Sequence, residues 1–319
     1  MTLNRSSSRY PRRRFLTVGS LGVVGLWAGV SDQVCARTVR GLVAETSRSV
    51  LSPVYTPDPD GWSSDTITAA WLGHSTVLIN FYGVTILTDP ALYRRIGADL
   101  RFGTVGPKRL TAAALGPRDL PKIDVVLLSH AHMDHLDPAT LRALPGQPQT
   151  ITAHATLDLL HGTPLTEPTS LRWGETKRLR TAKGDLEVEA FEVKHWGARW
   201  RYDTYRGYNG YVISREDKKI IFGGDTAFTG SFRRLKTEGP YELAIMPIGA
   251  YDPWIFSHCS PEQAVEMAEQ AGARHLLPIH YKTFAFGREG VVEPLCRLEA
   301  AIEPERIGWR EIGQTFELS

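Results

Sequence analysis

Cysteine is scarce in this chain, with three residues in 319, which excludes a disulfide framework and a thiolate zinc site. Cys35 falls in a leader-like segment, and Cys259 and Cys296 are expected as two separate buried thiols. No feature points to a lowered pKa at either, so neither is a candidate nucleophile. A serine nucleophile lacks support as well, because no Gly-x-Ser-x-Gly elbow occurs. Tandem repeats and low-complexity tracts are absent.

Long apolar runs are also missing apart from residues 16–30, which four glycines interrupt. That run is short of the roughly 20 residues that span a bilayer. It follows Arg12-Arg13-Arg14-Phe15 and precedes the small-residue site Val34-Cys35-Ala36, the pattern of a twin-arginine export signal. Residues 1–36 are therefore expected to be cleaved, with the mature protein periplasmic, or membrane-anchored if cleavage fails. Removing Arg5, Arg9, Arg12, Arg13 and Arg14 from 37 basic residues, and Asp32 from 35 acidic ones, leaves 32 against 34. The mature charge is near neutral, and no basic field argues for nucleic acid.

What is present is apolar patterning for one large α/β sandwich. Residues 37–62 carry Pro53, Pro57 and Pro59 without periodicity and read as a linker or strap, with the folded domain over residues 63–319. Strands are predicted over residues 66–71, 76–80 and 84–88, with Tyr82-Gly83 as a hairpin turn. Residues 124–129 form an almost wholly apolar run, as in a strand covered on both faces. Residues 186–193, 210–214, 219–222, 243–246 and 275–279 continue the β pattern, with Arg215-Glu216-Asp217 as a turn. Ser260, Pro261 and Gln263 start a helix that runs to Ala271 and stops at Gly272.

The chemistry concentrates just past the apolar strand, in His130-Ala131-His132-Met133-Asp134-His135. Three of only ten histidines share one short loop with a carboxylate, and neutral imidazole with carboxylate is the donor set of borderline divalent metals. A loop after a strand can turn such side chains into one cleft. His195, Asp225 in Gly223-Gly224-Asp225-Thr226, and His280 each follow a predicted strand.

This order of residues resembles the metallo-β-lactamase superfamily, whose His-x-His-x-Asp-His signature is met in full. The resemblance implies a four-layer αββα sandwich and two metals about 3.5–4 Å apart. His130, His132 and His195 would bind the first metal, Asp134, His135 and His280 the second, and Asp225 both. Zinc is the expected metal, with iron or manganese also suited. The stretches Trp71-Leu72-Gly73-His74-Ser75-Thr76, Leu87-Thr88-Asp89-Pro90, Gly106-Pro107-Lys108-Arg109, Pro247-Ile248-Gly249-Ala250-Tyr251 and Ile279-His280-Tyr281-Lys282-Thr283-Phe284 resemble the N-acyl-phosphatidylethanolamine-hydrolysing phospholipase D group. By that likeness Asp89 orients a ligating histidine and His258 joins Asp134 and Asp225 in handling protons; His74, between two strands near the expected cleft mouth, is a further candidate to orient a ligand.

The expected activity is hydrolysis by a metal-bridging hydroxide of a phosphodiester, foremost an N-acyl-phosphatidylethanolamine-type phospholipid. Peripheral membrane contact would accompany such a substrate. Arg199 and Arg201 suit phosphate, and Tyr251 and Trp254 suit an apolar-polar boundary, so these four are the predicted substrate contacts. A lactonase resembling the ascorbate-6-phosphate lactonase group and a non-catalytic exported metal-binding module are the alternatives.

Overall fold

A computed structural model of the chain describes residues 47–100 and 103–318, so the predicted export segment with Cys35 lies outside the described residues. The first three β patterns form an antiparallel meander: β1 (Ile67–Gly73), β2 (Thr76–Phe81) and β3 (Val84–Thr88). Tyr82 and Gly83 turn it with positive φ at both positions, 50° and 88°, as a two-residue hairpin favours. A short ribbon follows, β4 (Ala98–Leu100) with β5 (Gly103–Val105). The apolar run becomes β6 (Val125–Leu128), every residue of it buried, and pairs parallel with β3. β7 (Gln149–Ala153) and β8 (Thr166–Leu171) extend the sheet in parallel.

The second sheet contains β9 (Thr176–Thr181), β10 (Gly184–Phe191), β11 (Gly210–Arg215), β12 (Lys218–Phe222), β13 (Tyr241–Pro247) and β14 (Ala273–Ile279). β15 (Thr315–Leu318) returns to the first sheet beside β1. The strand orders are β15-β1-β2-β3-β6-β7-β8 and β14-β13-β12-β11-β10-β9. Buried residues of both sheets contribute to one cluster, from Trp71, Ile79 and Val126 in the first to Ile213, Phe222 and Ile245 in the second. Each such fully buried aliphatic contributes roughly 1.5–3 kcal/mol of transfer free energy.

Helices flank the sheets. α1 (Pro138–Arg142) follows β6, and Asp137 caps it by accepting from the amides of Ala139 and Thr140. α2 (Ser231–Leu235), α3 (Pro261–Ala271) and α4 (Glu293–Ala301) belong to the second half. The predicted start and stop of α3 are met: Ser260 and Gln263 form a capping box, and Gly272 ends the helix at φ 80°. The result is the four-layer sandwich that the resemblance implied. No helix among the described residues is long and apolar enough to cross a membrane.

Ser49–Ser319 is one compact unit. Residues 49–62 run along it as a strap, with Leu51 bridging to Thr111 and the Tyr55 amide donating to Ile312 at 3.4 Å. The two thiols are unpaired, Cys259 buried as expected but Cys296 exposed on α4, which corrects the expectation of two buried ones. Cys296 lies on the outer face because the inward positions of this short helix go to Pro294 and Leu298.

Strand direction positions the site. β1 and β3 both run antiparallel to β2, and β6 is parallel to β3, so these three point one way. β10 and β12 both run antiparallel to β11, and β13 and β14 follow β12 in parallel. The loops leaving those strands carry all the predicted metal-binding residues. Beside them the sheets are stitched together: the Asn209 amide donates to Ser129 at 2.9 Å and the Tyr211 hydroxyl to the Leu128 carbonyl at 2.8 Å.

Candidate metal centre

The loop between β6 and α1 is short because Leu136 is buried behind it and Asp137 already caps the next helix. Within it the amides of His135 and Leu136 both donate to the His132 carbonyl, at 3.1 and 2.8 Å. That tight turn lets one loop serve two donor sets.

The first set joins His130, His132, His195 and Asp225, whose ligand atoms lie within 4.8 Å of one another. His132 Nδ1 is 2.8 Å from His130 Nε2 and 3.2 Å from His195 Nε2. The far sides of these rings explain why the near sides are free to coordinate. His195 Nδ1 donates to the Ser257 carbonyl at 2.8 Å, which leaves Nε2 with a bare lone pair. Ser129 Oγ donates to Asp89 at 2.5 Å and accepts from His130 Nδ1 at 2.9 Å, with the same consequence for His130.

The second set joins His74, Asp134, His135 and His280. His135 Nδ1 donates to Asp89 Oδ2 at 2.7 Å, so its Nε2 faces inward, and against its burial Asp225, Asp134 and Asp89 lift this ring well above the usual histidine range. Asp225 Oδ2 lies between the sets, 3.1 Å from Nε2 of both His135 and His280 and 3.8 Å from Nε2 of His195. His74 Nε2 donates to Asp134 Oδ2 at 2.8 Å. His258 flanks the cluster, its Nδ1 3.8 Å from Asp225 Oδ2.

Burial holds His130, His132 and His195 toward the neutral, ligating form, His132 down to about 3. Burial also opposes ionising Asp134 and Asp225, yet the surrounding histidines, His135 foremost, hold both well below the usual carboxylate range. His280 is pulled the other way: against its burial, Asp225 and Asp134 lift it to about 9. The pocket thus calls for positive charge between its carboxylates.

A divalent cation fits these residues better than protons do. One Nδ1 proton on His132 can serve His130 or His195 but not both, and the buried Nε2 atoms of His135 and His280 and Oδ1 of Asp225 have no hydrogen-bond partner. Convergent lone pairs in a buried site are costly unless something electropositive lies among them. The donors themselves, imidazole and carboxylate, suit zinc, iron or manganese.

The remaining predicted residues divide. Asp89, fully buried, accepts from His135 Nδ1, the Ser129 amide and Ser129 Oγ, so it orients His135 and, through Ser129, His130. His74 is buried rather than at a cleft mouth; its amide donates to Thr283 Oγ1 at 2.7 Å, and its carbonyl accepts from the Trp71 indole and the His280 amide. Two predicted substrate contacts are corrected. Arg199 Nη1 donates to the Ala131 and Leu136 carbonyls at 3.0 and 2.8 Å, bracing the metal loop, because those carbonyls have no strand partner. Tyr251 is buried, its hydroxyl donating to Glu293 at 3.0 Å and its ring under the Arg297 guanidinium, so it ties its loop to α4. The Trp254 indole donates to the Phe286 carbonyl at 3.3 Å, while Arg201 is exposed. Sequence reading missed Ser129, Ser257 and Thr283; Ser129, next to His130, carried the only local signal.

Comparison with known proteins agrees with this geometry. A family model described as a β-lactamase superfamily domain matches residues 85–281. The chain is 31% identical over 281 residues to an uncharacterized protein of Mycobacterium tuberculosis, covering 83% of this chain and 73% of that one. It is 30% identical over 269 residues to N-acyl-phosphatidylethanolamine-hydrolyzing phospholipase D 1 of Caenorhabditis elegans, covering 79% and 74%. Among solved structures, a metallo hydrolase from the archaeon Ignicoccus hospitalis shares the fold with a TM-score of 0.59 at 22% identity, covering 80% of this chain and 99% of that one. The chain belongs to the metallo-β-lactamase superfamily of metal-dependent hydrolases, and within it is similar to the N-acyl-phosphatidylethanolamine-hydrolysing phospholipase D group.

Proposed function

We propose that this protein is a two-metal phosphodiesterase that hydrolyses N-acyl-phosphatidylethanolamine-type phospholipids with phospholipase D type cleavage. The observation that carries the two-metal reading is Asp225 Oδ2, set between two histidine-rich donor sets, 3.1 Å from His135 and His280 of one and 3.8 Å from His195 of the other. The lipid reading is supported by similarity to the nematode enzyme over most of both chains.

His130, His132 and His195 would hold one cation, Asp134, His135 and His280 the other, with Asp225 shared. When bound, such ions acidify water and polarise a phosphoryl oxygen. Asp89, Ser129 and the Ser257 carbonyl keep the three imidazoles in the ligating tautomer. Water oxygen joins phosphorus, the bond from phosphorus to the headgroup oxygen breaks, and the departing alcohol takes a proton. His258, beside Asp225 at the edge of the cluster and held toward the neutral form by burial, is placed to take up the proton that water gives up and pass it to that alcohol.

The test is a substrate panel on protein of measured metal content: N-acyl-phosphatidylethanolamine vesicles, soluble phosphodiesters, lactones and β-lactams. Phosphatidic acid and the free N-acylethanolamine are the expected products. Turnover of a lactone or β-lactam with no phosphodiester cleaved would sink the proposal.

A further inference from the structure

Six large apolar side chains left exposed among the described residues sit on two loops rooted in the metal centre: Trp196, Trp200, Tyr202, Tyr205, Ile255 and Phe256. The first loop leaves from His195 and returns at Tyr208, which bridges to His130. The second runs into His258. They are joined where His195 Nδ1 donates to the Ser257 carbonyl. The Trp196 ring lies 4.6 Å from that of His132, yet Trp196 is 52% exposed; Phe256 and Tyr202 reach 70% and 80%.

This exposure is held in place rather than frayed. The Trp200 amide donates to Asp203 at 2.7 Å, and fully buried Asp203 is bonded to Arg206, which also clasps Asp158 through two nitrogens. Exposed cations alternate with the rings: Lys194 and Arg201 on the first loop, and Arg288, whose amide donates to Asp252 of the second. Tryptophan, tyrosine and phenylalanine beside lysine and arginine are the composition of an interface between water and anionic lipid. Contiguous apolar surface around a site mouth marks an interaction face.

We propose that this rim docks on an anionic bilayer surface and presents the metal centre to lipid headgroups. The inference rests on the phospholipid reading of the site and assigns the face that meets the membrane. The cations supply attraction to anionic headgroups, and the rings sit at the depth of the headgroups beneath them.

The full chain is compared with a Tyr202→Glu/Phe256→Glu double variant on vesicles of phosphatidylcholine with phosphatidylglycerol that carry N-acyl-phosphatidylethanolamine, and on the soluble ester bis(p-nitrophenyl) phosphate. Vesicle substrate should show KM raised by about tenfold or more, with the soluble ester unchanged. Brominated lipids should quench tryptophan emission, and Trp200→Phe should lessen that quenching, with Trp196 carrying the remainder. An unchanged vesicle KM, a parallel loss on the soluble ester, or quenching that Trp200→Phe leaves undiminished would each overturn the docking face. If the protein cleaves no phosphodiester at all, the functional reading fails, and the quenching measurement still decides whether this rim meets lipid.

Discussion

The loop from Ser129 to Asp137 and the loop from Trp196 to Gly207 both border the metal centre, yet they yielded to sequence reading very differently. In the first, four donors in six residues have one chemical use in common, and the structure divides them between two adjoining donor sets. In the second, arginines and aromatics alternate, and Arg199, read as a phosphate fork, instead braces carbonyls of the first loop. Coordination demands particular lone pairs at one point, so few residue types qualify. A guanidinium has many acceptable partners, and the nearest unpaired backbone oxygen takes it.

The sharpest test of this contrast is Asp225→Asn, which removes the carboxylate between the donor sets. Hydrolysis should fall by roughly 10³ or more, about 4 kcal/mol of transition-state stabilisation, and metal analysis should show occupancy reduced. Full activity with full occupancy would return Asp225 to an ordinary turn residue. Next in size, Asp89→Asn keeps the shape but weakens the acceptor for His135 Nδ1. Chelator competition should report metal affinity lower by about 10–100-fold, with secondary structure retained.

Arg199→Ala separates the two loops most directly. Loss of two charged hydrogen bonds to the metal loop should lower stability by about 2–3 kcal/mol, read as a reduced Tm, with KM little changed. A large rise in KM at unaltered Tm would restore Arg199 as a substrate contact and erase the contrast. The smallest effect belongs to Tyr251→Phe, which removes only the hydroxyl bond to Glu293. About 1 kcal/mol of stability should go, and kcat/KM should hold; a tenfold fall in kcat/KM would show the hydroxyl reaching substrate.

Much of the fold was legible because its signals are local. Val125–Leu128 is an apolar run and proved fully buried, Tyr82-Gly83 turned a hairpin, and Ser260 with Gln263 capped a helix within one turn. The stretches that carried the phospholipase resemblance proved to be scaffolding as much as chemistry: Trp71 stacks on Tyr281 at 4.6 Å, and Thr283 accepts from the His74 amide across 209 positions of chain. Their spacing in the sequence says nothing of that meeting, because it depends on β1 and β14 ending at one rim.

From the sequence alone came the identity and order of the candidate ligands, since metal coordination restricts the usable side chains and each of these residues follows a strand. Tertiary structure alone decided which histidines share a site, which ring nitrogen is left bare, and where Arg199 and Tyr251 are spent. Those outcomes rest on contacts between loops far apart in the chain, such as Asp89 with His135 within the first sheet's loops and His195 with the Ser257 carbonyl within the second's. Such contacts arise only once strand direction and register have brought distant loops to one edge, which no local pattern encodes.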